Sequence, residues 1–308
     1  MTSTVRVQPR LWRIYRRMNL AALTGGEDAD GDPLGLGTRE GRTRLAWETY
    51  SRDGLEHALR AYGTLERLES RGLGSLSVRL DRTDPFAPII VVRSERFAAP
   101  VIRAQLRQVS GRQLGLGRAL GDVPLVFLES LLLQNPGRRF DWHRPPLPDQ
   151  EFPGLSLSGE VIELLLLMAR RVGARGMALR PSSFHAAWVY ARHFVFVEGA
   201  AQARFEALRN EPRLRPLWLL SWALELGCVR SGGERVTWTP DLMIAALDAR
   251  LARAVSGAGR RTEIRRGGRR DYHFDLACLR RRFPWDRMPG PPVPGSVQDL
   301  LRPPPRAV

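Results

Sequence analysis

Apolar residues recur every three or four positions in several stretches of the chain, which is the spacing of a helix that buries one face. This spacing predicts helices over Leu11–Leu23 and Leu55–Ser70, and Gly72 and Gly74 favour the end of the second one. A longer apolar stretch predicts a third helix over Ser158–Val172, with its first serine as the N-cap. Further helices are predicted over Ser182–Arg192, Gln202–Arg209 and Leu217–Leu226.

A period of two residues replaces the helical spacing between the second and third predicted helices. Alternating or β-branched runs bounded by turn residues are typical of short strands joined as a meander. The last of these runs fits a strand or a helix by pattern alone, and a strand is favoured in its first half. The four predicted strands are Ser75–Asp81, Pro88–Arg93, Val101–Val109 and Val123–Leu133, and two shorter ones follow over Arg175–Arg180 and His193–Val197.

The order of these elements predicts a fold of the α/β (α+β) class, with a mixed central sheet flanked by helices and a C-terminal extension. The apolar content of 43% over 308 residues is enough for a sizeable core. Aromatic residues in Asp271–Trp285 are enough for that stretch to dock or to form a small element. Composition predicts four parts: a helix and loop over residues 1–54, a main domain over 55–212, a helical extension over 213–257 and an Arg- and Pro-rich, partly disordered tail over 258–308.

The chain is strongly basic, with a net charge of +16, and all 48 of its basic residues are arginine. Exclusive use of Arg, beside abundant Ala, Gly, Leu and Pro, is more typical of genome-wide composition bias than of selection for a polyanion. The charge is therefore weak evidence for nucleic acid. The densest basic block, Arg260–Arg287, has aromatic residues suited to stacking on bases, so polyanion binding stays an alternative. No helix-turn-helix, zinc-finger or RNA-binding signature accompanies it.

Several classes of site and location are disfavoured by what the sequence lacks. The N-terminus has no apolar run typical of a secretory signal, and the longest apolar runs are far below the roughly 20 residues of a membrane span. A soluble, cytoplasmic protein without a membrane partner is predicted. Cys228 and Cys278 have no C-x-x-C spacing, which predicts neither a zinc site nor a disulfide framework, and no His-x-x-x-His pair indicates another metal. Without Gly-x-x-x-x-Gly-Lys or Gly-x-Ser-x-Gly, kinase, P-loop and α/β-hydrolase chemistry are disfavoured.

A glycine-containing loop, Glu151–Gly159, leads directly into the third predicted helix. A helix start has free backbone N–H groups and the positive end of the helix dipole, so this loop is a candidate site for a phosphate or another anion. The same residues are equally typical of a turn before a capped helix.

Two motifs and the order of elements make residues 55–209 resemble the GNAT superfamily of N-acetyltransferases. In that family a meander of strands leads to a long central strand, and a pyrophosphate-binding loop of pattern Gln/Arg-x-x-Gly-x-Gly/Ala opens the next helix. On this pattern Gly154 matches, Ser156 stands in the Gly/Ala position, and Glu151 replaces Gln or Arg. In the second motif, Ala186 and Tyr190 match the family's Asn-x-x-Ala-x-x-Leu-Tyr, with a serine in the Asn position.

The resemblance implies an acyl-CoA such as acetyl-CoA as donor, with direct transfer of the acyl group to an amine. Tyr190 would be the acid that protonates the leaving thiolate, and the base that deprotonates the amine would be Glu129 or, second, His185. Backbone groups of the fourth strand would hold the pantetheine and polarise the thioester. Backbone N–H groups of the loop would bind the pyrophosphate. The implied donor-binding residues are Gly154, Leu155, Ser156, Leu157, Ser158 and Gly159.

Each catalytic candidate also has a structural interpretation. Tyr190 shares its predicted helix with Phe184 and Trp188, and aromatic residues at helical spacing are usually core. His185 fits a hydrogen-bonded packing histidine, and Glu129 fits an exposed strand edge. Three hypotheses therefore stand: a divergent GNAT-like N-acyltransferase, a GNAT-like binding module without catalysis, and a polyanion-binding protein that uses its basic block.

Overall fold

The computed structural model describes residues 4–19, 21–24, 50–141, 144–211, 216–257, 260, 262–264 and 271–287. The chain forms two compact units. The first comprises Met1–Gly137, Gly154–Leu179 and Ala245–Ala254, and the second comprises Arg138–Pro153, Arg180–Ile244 and Val255–Val308. Helices accompany a mixed sheet, which confirms the predicted α/β (α+β) class.

Helices and strands are numbered in chain order over the described residues. The helices are α1 (Pro9–Arg17), α2 (Ala21–Thr24), α3 (Arg52–Ala61), α4 (Thr64–Leu68), α5 (Ser158–Arg171), α6 (Phe184–Tyr190), α7 (Gly199–Arg209), α8 (Leu217–Glu225), α9 (Ala249–Val255) and α10 (Leu276–Arg282). The strands are β1 (Leu76–Asp81), β2 (Ile89–Ser94), β3 (Ile102–Ser110), β4 (Pro124–Leu133), β5 (Gly176–Leu179), β6 (Val195–Phe196), β7 (Val229–Ser231), β8 (Glu234–Arg235), β9 (Met243–Ala246) and β10 (Tyr272–Phe274). Among these helices, none has the length and apolar character needed to cross a membrane.

The sheet of the first unit begins as an antiparallel meander of β1, β2, β3 and β4. Alternate residues at the start of β1, β2 and β3 are buried, as their period-two pattern predicts. β5 then pairs with β4 in parallel, from Leu125 opposite Gly176 to Leu128 opposite Leu179. A parallel neighbour needs a crossover connection, and α5 supplies it. The last two residues of β9 belong to this unit and come next to β5.

The helix predicted over Leu55–Ser70 is divided into α3, α4 and a π-helical turn, Glu69–Leu73. Gly63, with φ of +73°, separates α3 from α4. Gly72 lies in the π-helical turn with φ of +87°. Glycine adopts positive φ without steric clash, so the chain changes direction at these two positions.

Two other predicted elements differ in extent from the structure. α1 stops at Arg17, and α2 covers the end of the predicted stretch Leu11–Leu23. β4 is a strand along its whole length, because its ladder to β3 supplies hydrogen-bond partners beyond the first half. The loop predicted within residues 1–54 and the Pro-rich end of the tail lie outside the described residues.

The second unit contains the antiparallel sheet β10–β7–β8 and the antiparallel pairing of β6 with the first half of β9. Its core is aromatic, with rings of Phe184, Phe196, Phe205 and Trp238 at centroid distances between 5.5 and 6.2 Å. β10 and α10 confirm that Asp271–Trp285 forms a small element.

Cys228 and Cys278 form a disulfide, so the prediction that the two cysteines give no disulfide framework was wrong. Both side chains are buried, Cys228 directly before β7 and Cys278 within α10. The pairing of β7 with β10 brings the two segments together. Because the cysteines are 50 residues apart in the sequence, their spacing alone did not indicate this pairing.

Removal of this disulfide is expected to lower the free energy of unfolding by about 2–4 kcal/mol, because a cross-link over a long loop mainly restricts the unfolded chain. Urea unfolding of the oxidised protein and of the Cys228→Ala/Cys278→Ala double variant measures the difference. Alkylation under denaturing conditions, followed by mass spectrometry, counts the free thiols. Two alkylated thiols in the untreated protein would contradict the disulfide.

Candidate functional site

At the start of α5, several backbone N–H groups have no hydrogen-bond acceptor in the described part of the chain. The first hydrogen bond of the helix runs from Val161 N to the carbonyl of Leu157, its N-cap, at 3.0 Å. The N–H groups of Ser158, Gly159 and Glu160 therefore have no acceptor among the described residues. Ser158 was predicted as the N-cap. It is instead the first residue of the helix, and no side chain caps this end.

The loop before α5 is anchored by two buried leucines on either side of an exposed serine. Leu155 and Leu157 are 3% and 7% exposed, whereas Ser156 is exposed and has φ of +55°. A left-handed backbone is costly for residues other than glycine, so a glycine would be favoured at this position. Gly154 lies against β4: a Cβ added to it would come 3.8 Å from the Leu133 carbonyl oxygen. The loop therefore lies at the C-terminal end of β4.

The acidic side chains in the first turns of α5 are engaged by other helices. Glu160 accepts a hydrogen bond from Thr64 Oγ1 at 3.1 Å and forms an ion pair with Arg67, both on α4. Glu163 is 1% exposed and accepts the backbone N–H of Gln8, at the start of α1, at 2.8 Å. Both carboxylates therefore fix the packing of α5 and leave its own N–H groups free.

β4 loses its parallel neighbour partway along its length. β5 pairs with it only as far as Leu128, whereas pairing with β3 continues to the end of β4. A bulge coincides with this change, because the register to β3 passes from Leu106–Leu128 to Gln105–Ser130 and leaves Glu129 without a partner residue. Beyond Leu128, no backbone hydrogen bond joins the outer edge of β4 to another described segment. This free edge and the start of α5 lie at the same end of the strand.

Glu129 is held in an ion pair on the strand that carries the bulge. Its carboxylate accepts a hydrogen bond from Nε of Arg107, whose guanidinium also lies 3.6 Å from Asp84. The first candidate base thus shares its carboxylate with an arginine of β3.

Sequence reasoning missed one residue that contacts the loop. Arg71, in the π-helical turn, donates a hydrogen bond from Nη1 to the Leu155 carbonyl. It forms no ion pair within the described part of the chain, and its acidic neighbour Glu69 pairs with Arg60 at 3.6 Å. An uncompensated positive charge therefore lies at the loop. The sequence offered only the signal of an arginine near the end of a predicted helix.

The other two candidates, His185 and Tyr190, lie on α6 in the second unit. Ser183 caps this helix: its hydroxyl accepts the N–H of Ala186 at 3.3 Å and lies 3.1 Å from His185 Nε2. Nδ1 of His185 is buried without a hydrogen-bond partner in the described structure, and burial lowers the pKa of His185 to about 4. Burial raises the pKa of Tyr190 to about 12, and its ring meets Phe194 edge to face. Both side chains are therefore uncharged at neutral pH.

The structure brings the predicted donor-binding residues 154–159, Arg71 and the free edge of β4 together in the first unit, with Glu129 on the same strand. Tyr190 and His185 share one helix of the second unit. Within the described ranges, no group of three or more His, Cys, Asp or Glu side chains is arranged to hold a metal ion.

Ser156→Gly is expected to raise the free energy of unfolding by up to about 1 kcal/mol, because glycine removes the cost of the left-handed backbone. Ser158→Gly is the matched control. It places glycine in a helical position and is expected to lower the free energy of unfolding by about 0.5–1 kcal/mol. Urea unfolding measures both variants. A loss of stability in both would show that Ser156 is not held in a left-handed conformation.

His185 is expected to make the protein less stable in acid. Its pKa is about 4 in the folded protein and 6.5 in the unfolded chain, so the unfolded state binds more protons between these values. Stability therefore falls as the pH drops from 6.5 toward 4, by about 2 kcal/mol at pH ~4.5. Denaturant unfolding between neutral and mildly acid pH should show a weaker pH dependence for His185→Gln. Parallel pH profiles of the two proteins would contradict this expectation.

A comparison of the chain with protein-family models found no match, and a comparison with curated proteins found no similar one. The function is therefore inferred from the geometry of the site.

Proposed function

We propose that this chain is a GNAT-like N-acyltransferase, which transfers the acyl group of an acyl-CoA, acetyl-CoA in the simplest case, to an amine. The observation that carries the proposal is the uncapped start of α5 at the end of β4 where β5 no longer pairs. In the family that the sequence resembles, the donor binds between the fourth and fifth strands, with its pyrophosphate at this helix start.

The pyrophosphate would accept hydrogen bonds from the free N–H groups at the start of α5 and from the loop before it. Arg71 adds a positive charge on the Leu155 side of that loop. Glu151 stands where the resembled family has Gln or Arg, but its side chain is exposed, so solvent and salt screen its charge. The electrostatic balance of the loop therefore favours an anion.

The pantetheine arm would lie along the free edge of β4. Its two amide groups can pair with backbone N–H and carbonyl groups beyond Leu128, as an added strand does. This pairing would direct the thioester along β4 toward the bulge at Glu129.

The reaction is a direct transfer. The nitrogen lone pair of the amine attacks the thioester carbonyl carbon, and the carbon–sulfur bond breaks as the tetrahedral intermediate collapses. By the family resemblance, Tyr190 would be the acid that protonates the CoA thiolate. Its pKa of about 12 keeps the phenol protonated at neutral pH. By the same resemblance, the base that takes the proton of the amine would be Glu129 or His185. Because the pKa of His185 is low and Glu129 is paired with Arg107, the site favours an acceptor amine that is already neutral at the working pH.

A GNAT-like binding module without catalysis is the second candidate. The observation that favours it is the environment of the two candidate bases, one ion-paired and one with a pKa of about 4. Two arginines of the basic block make hydrogen bonds within the second unit. Arg282 donates to the Leu226 carbonyl, and Arg287 donates to the Gln150 carbonyl. These contacts weaken the polyanion hypothesis, because the two side chains are already engaged.

The proposal includes a cytoplasmic location, where a CoA thioester would be available. The disulfide between Cys228 and Cys278 weighs against it, because disulfides persist mainly in oxidising compartments. Counting the free thiols of protein taken directly from cells under acid quench decides between a reducing and an oxidising compartment. Two free thiols favour the cytoplasm, and none favours an oxidising compartment.

The proposal predicts that CoA and acetyl-CoA bind. A ligand at 100 times its Kd adds about 2.7 kcal/mol of stability, so a thermal-shift titration should show a clear rise of Tm. Arg71→Gln should reduce this rise. Arg79→Gln removes an exposed arginine of β1, outside the loop, and should leave the rise unchanged. Absence of any shift at millimolar CoA would overturn the proposal.

Turnover then separates the enzyme from the binding module. With CoA release as the readout and a panel of amines as acceptors, Tyr190→Phe should lower kcat about 10²-fold or more and leave CoA binding intact. Tyr62→Phe is the control, since burial also raises the pKa of Tyr62 to about 12. An unchanged kcat in Tyr190→Phe would remove Tyr190 from the mechanism. Binding without turnover of any amine would favour the binding module.

A further inference from the structure

A charged cleft opens at the end of β4 opposite to the candidate donor site. It has a volume of about 350 Å³ and lies where β4 and β5 begin. Because these strands are parallel, both begin at the same end of the sheet. β4 is 10 residues long, so the cleft is about 30 Å from the loop at Leu133. It is a separate site within the first unit.

Arginines outnumber acidic residues in this cleft. Its charged lining residues are Arg118, Asp122, Arg175, Asp248 and Arg250. The two aspartates are already paired, Asp122 with Arg112 at 3.0 Å and Asp248 with Arg175 at 3.1 Å. The remaining arginines, Arg118 and Arg250, have no acidic partner in the part of the chain that the structure describes. The cleft therefore has two uncompensated positive charges.

Regular structure fixes the backbone around these arginines. Arg175 N donates to the Pro124 carbonyl at 2.8 Å, and the Arg175 carbonyl accepts the N–H of Leu247 at 2.9 Å. Asp248 accepts the N–H of Leu251 at 2.8 Å at the start of α9, the helix that carries Arg250. The sheet and α9 therefore fix the backbone at Arg175 and Arg250, whereas Arg118 lies in a short 3-10 turn, Arg118–Leu120, between β3 and β4.

We propose that this cleft binds a small organic phosphate monoester. Such a group has a charge of about −1.5 to −2 at neutral pH, which matches the two uncompensated guanidinium groups. Guanidinium donors suit phosphate oxygens, because two parallel hydrogen bonds form at once. The volume falls within the range of small-molecule sites, so it accommodates an organic group beside the phosphate. Val123, Pro124 and Leu251 form an apolar wall for that group.

Phenyl phosphate is a suitable probe, because it joins a phosphate monoester to an apolar body. Isothermal titration of the full chain with phenyl phosphate, phenol, inorganic phosphate and succinate gives the comparison. Phenyl phosphate is expected to bind with a Kd near or below about 1 mM. Arg118→Gln/Arg250→Gln should weaken it at least about 10-fold, since two charge-assisted contacts are lost. Arg79→Gln/Arg93→Gln removes the same charge from exposed positions of β1 and β2 and should change nothing.

Four results would overturn the proposal: equal binding by the two double variants, equal binding of phenol, no binding of phenyl phosphate at about 10 mM, or succinate bound as tightly as phenyl phosphate. If inorganic phosphate binds more weakly than phenyl phosphate, the apolar wall contributes to binding. If the two ligands bind equally, the apolar wall has no such role. Arg71→Gln should leave phenyl phosphate binding unchanged. Unchanged binding in this variant would show that phenyl phosphate binds in the cleft and not at the donor loop. The test of the cleft therefore does not depend on whether the protein transfers acyl groups.

Discussion

The parallel pairing of β4 with β5 stops after four residue pairs, and the arrangement of the first unit follows from it. A parallel neighbour requires a crossover. After β4 the chain passes through residues 138–153, which belong to the second unit, and then through α5 to the start of β5. The start of α5 therefore lies where the edge of β4 is free. Ligand sites of open α/β sheets gather outside the carboxyl ends of the strands for the same reason. The free edge and the free N–H groups are two results of one pairing pattern.

Most elements of the first unit were predictable, because burial on one side imposes a period on the local sequence. The first three predicted strands match β1, β2 and β3 within one residue, and Ser158–Val172 matches α5. The break at Gly63 was missed, since apolar spacing continues across it. β7, β8, β9 and β10 are two to four residues each, too short to show a period. The four-part division by composition stays a prediction.

Less of the candidate site could be predicted, because its decisive contacts join residues far apart in the sequence. The loop pattern identified Gly154–Gly159, but not the left-handed backbone at Ser156, which depends on the burial of the leucines on both sides. The contact of Arg71 with the Leu155 carbonyl spans 84 residues. It depends on the π-helical turn, for which the sequence shows no periodic signal. The disulfide could not be predicted either, because the pairing of β7 with β10, and not the sequence spacing, brings its cysteines together.

The disulfide also changes the covalent topology of the chain. It closes a ring that runs from residue 228 to residue 278. Residues 245–254 lie inside this ring, although they belong to the first unit and both cysteines belong to the second. A backbone cut anywhere within the ring therefore leaves both new ends tethered to the second unit through sulfur. In an oxidising medium, a chain cut once within the ring gains only the mass of one water, and its two fragments stay covalently joined until the disulfide is reduced.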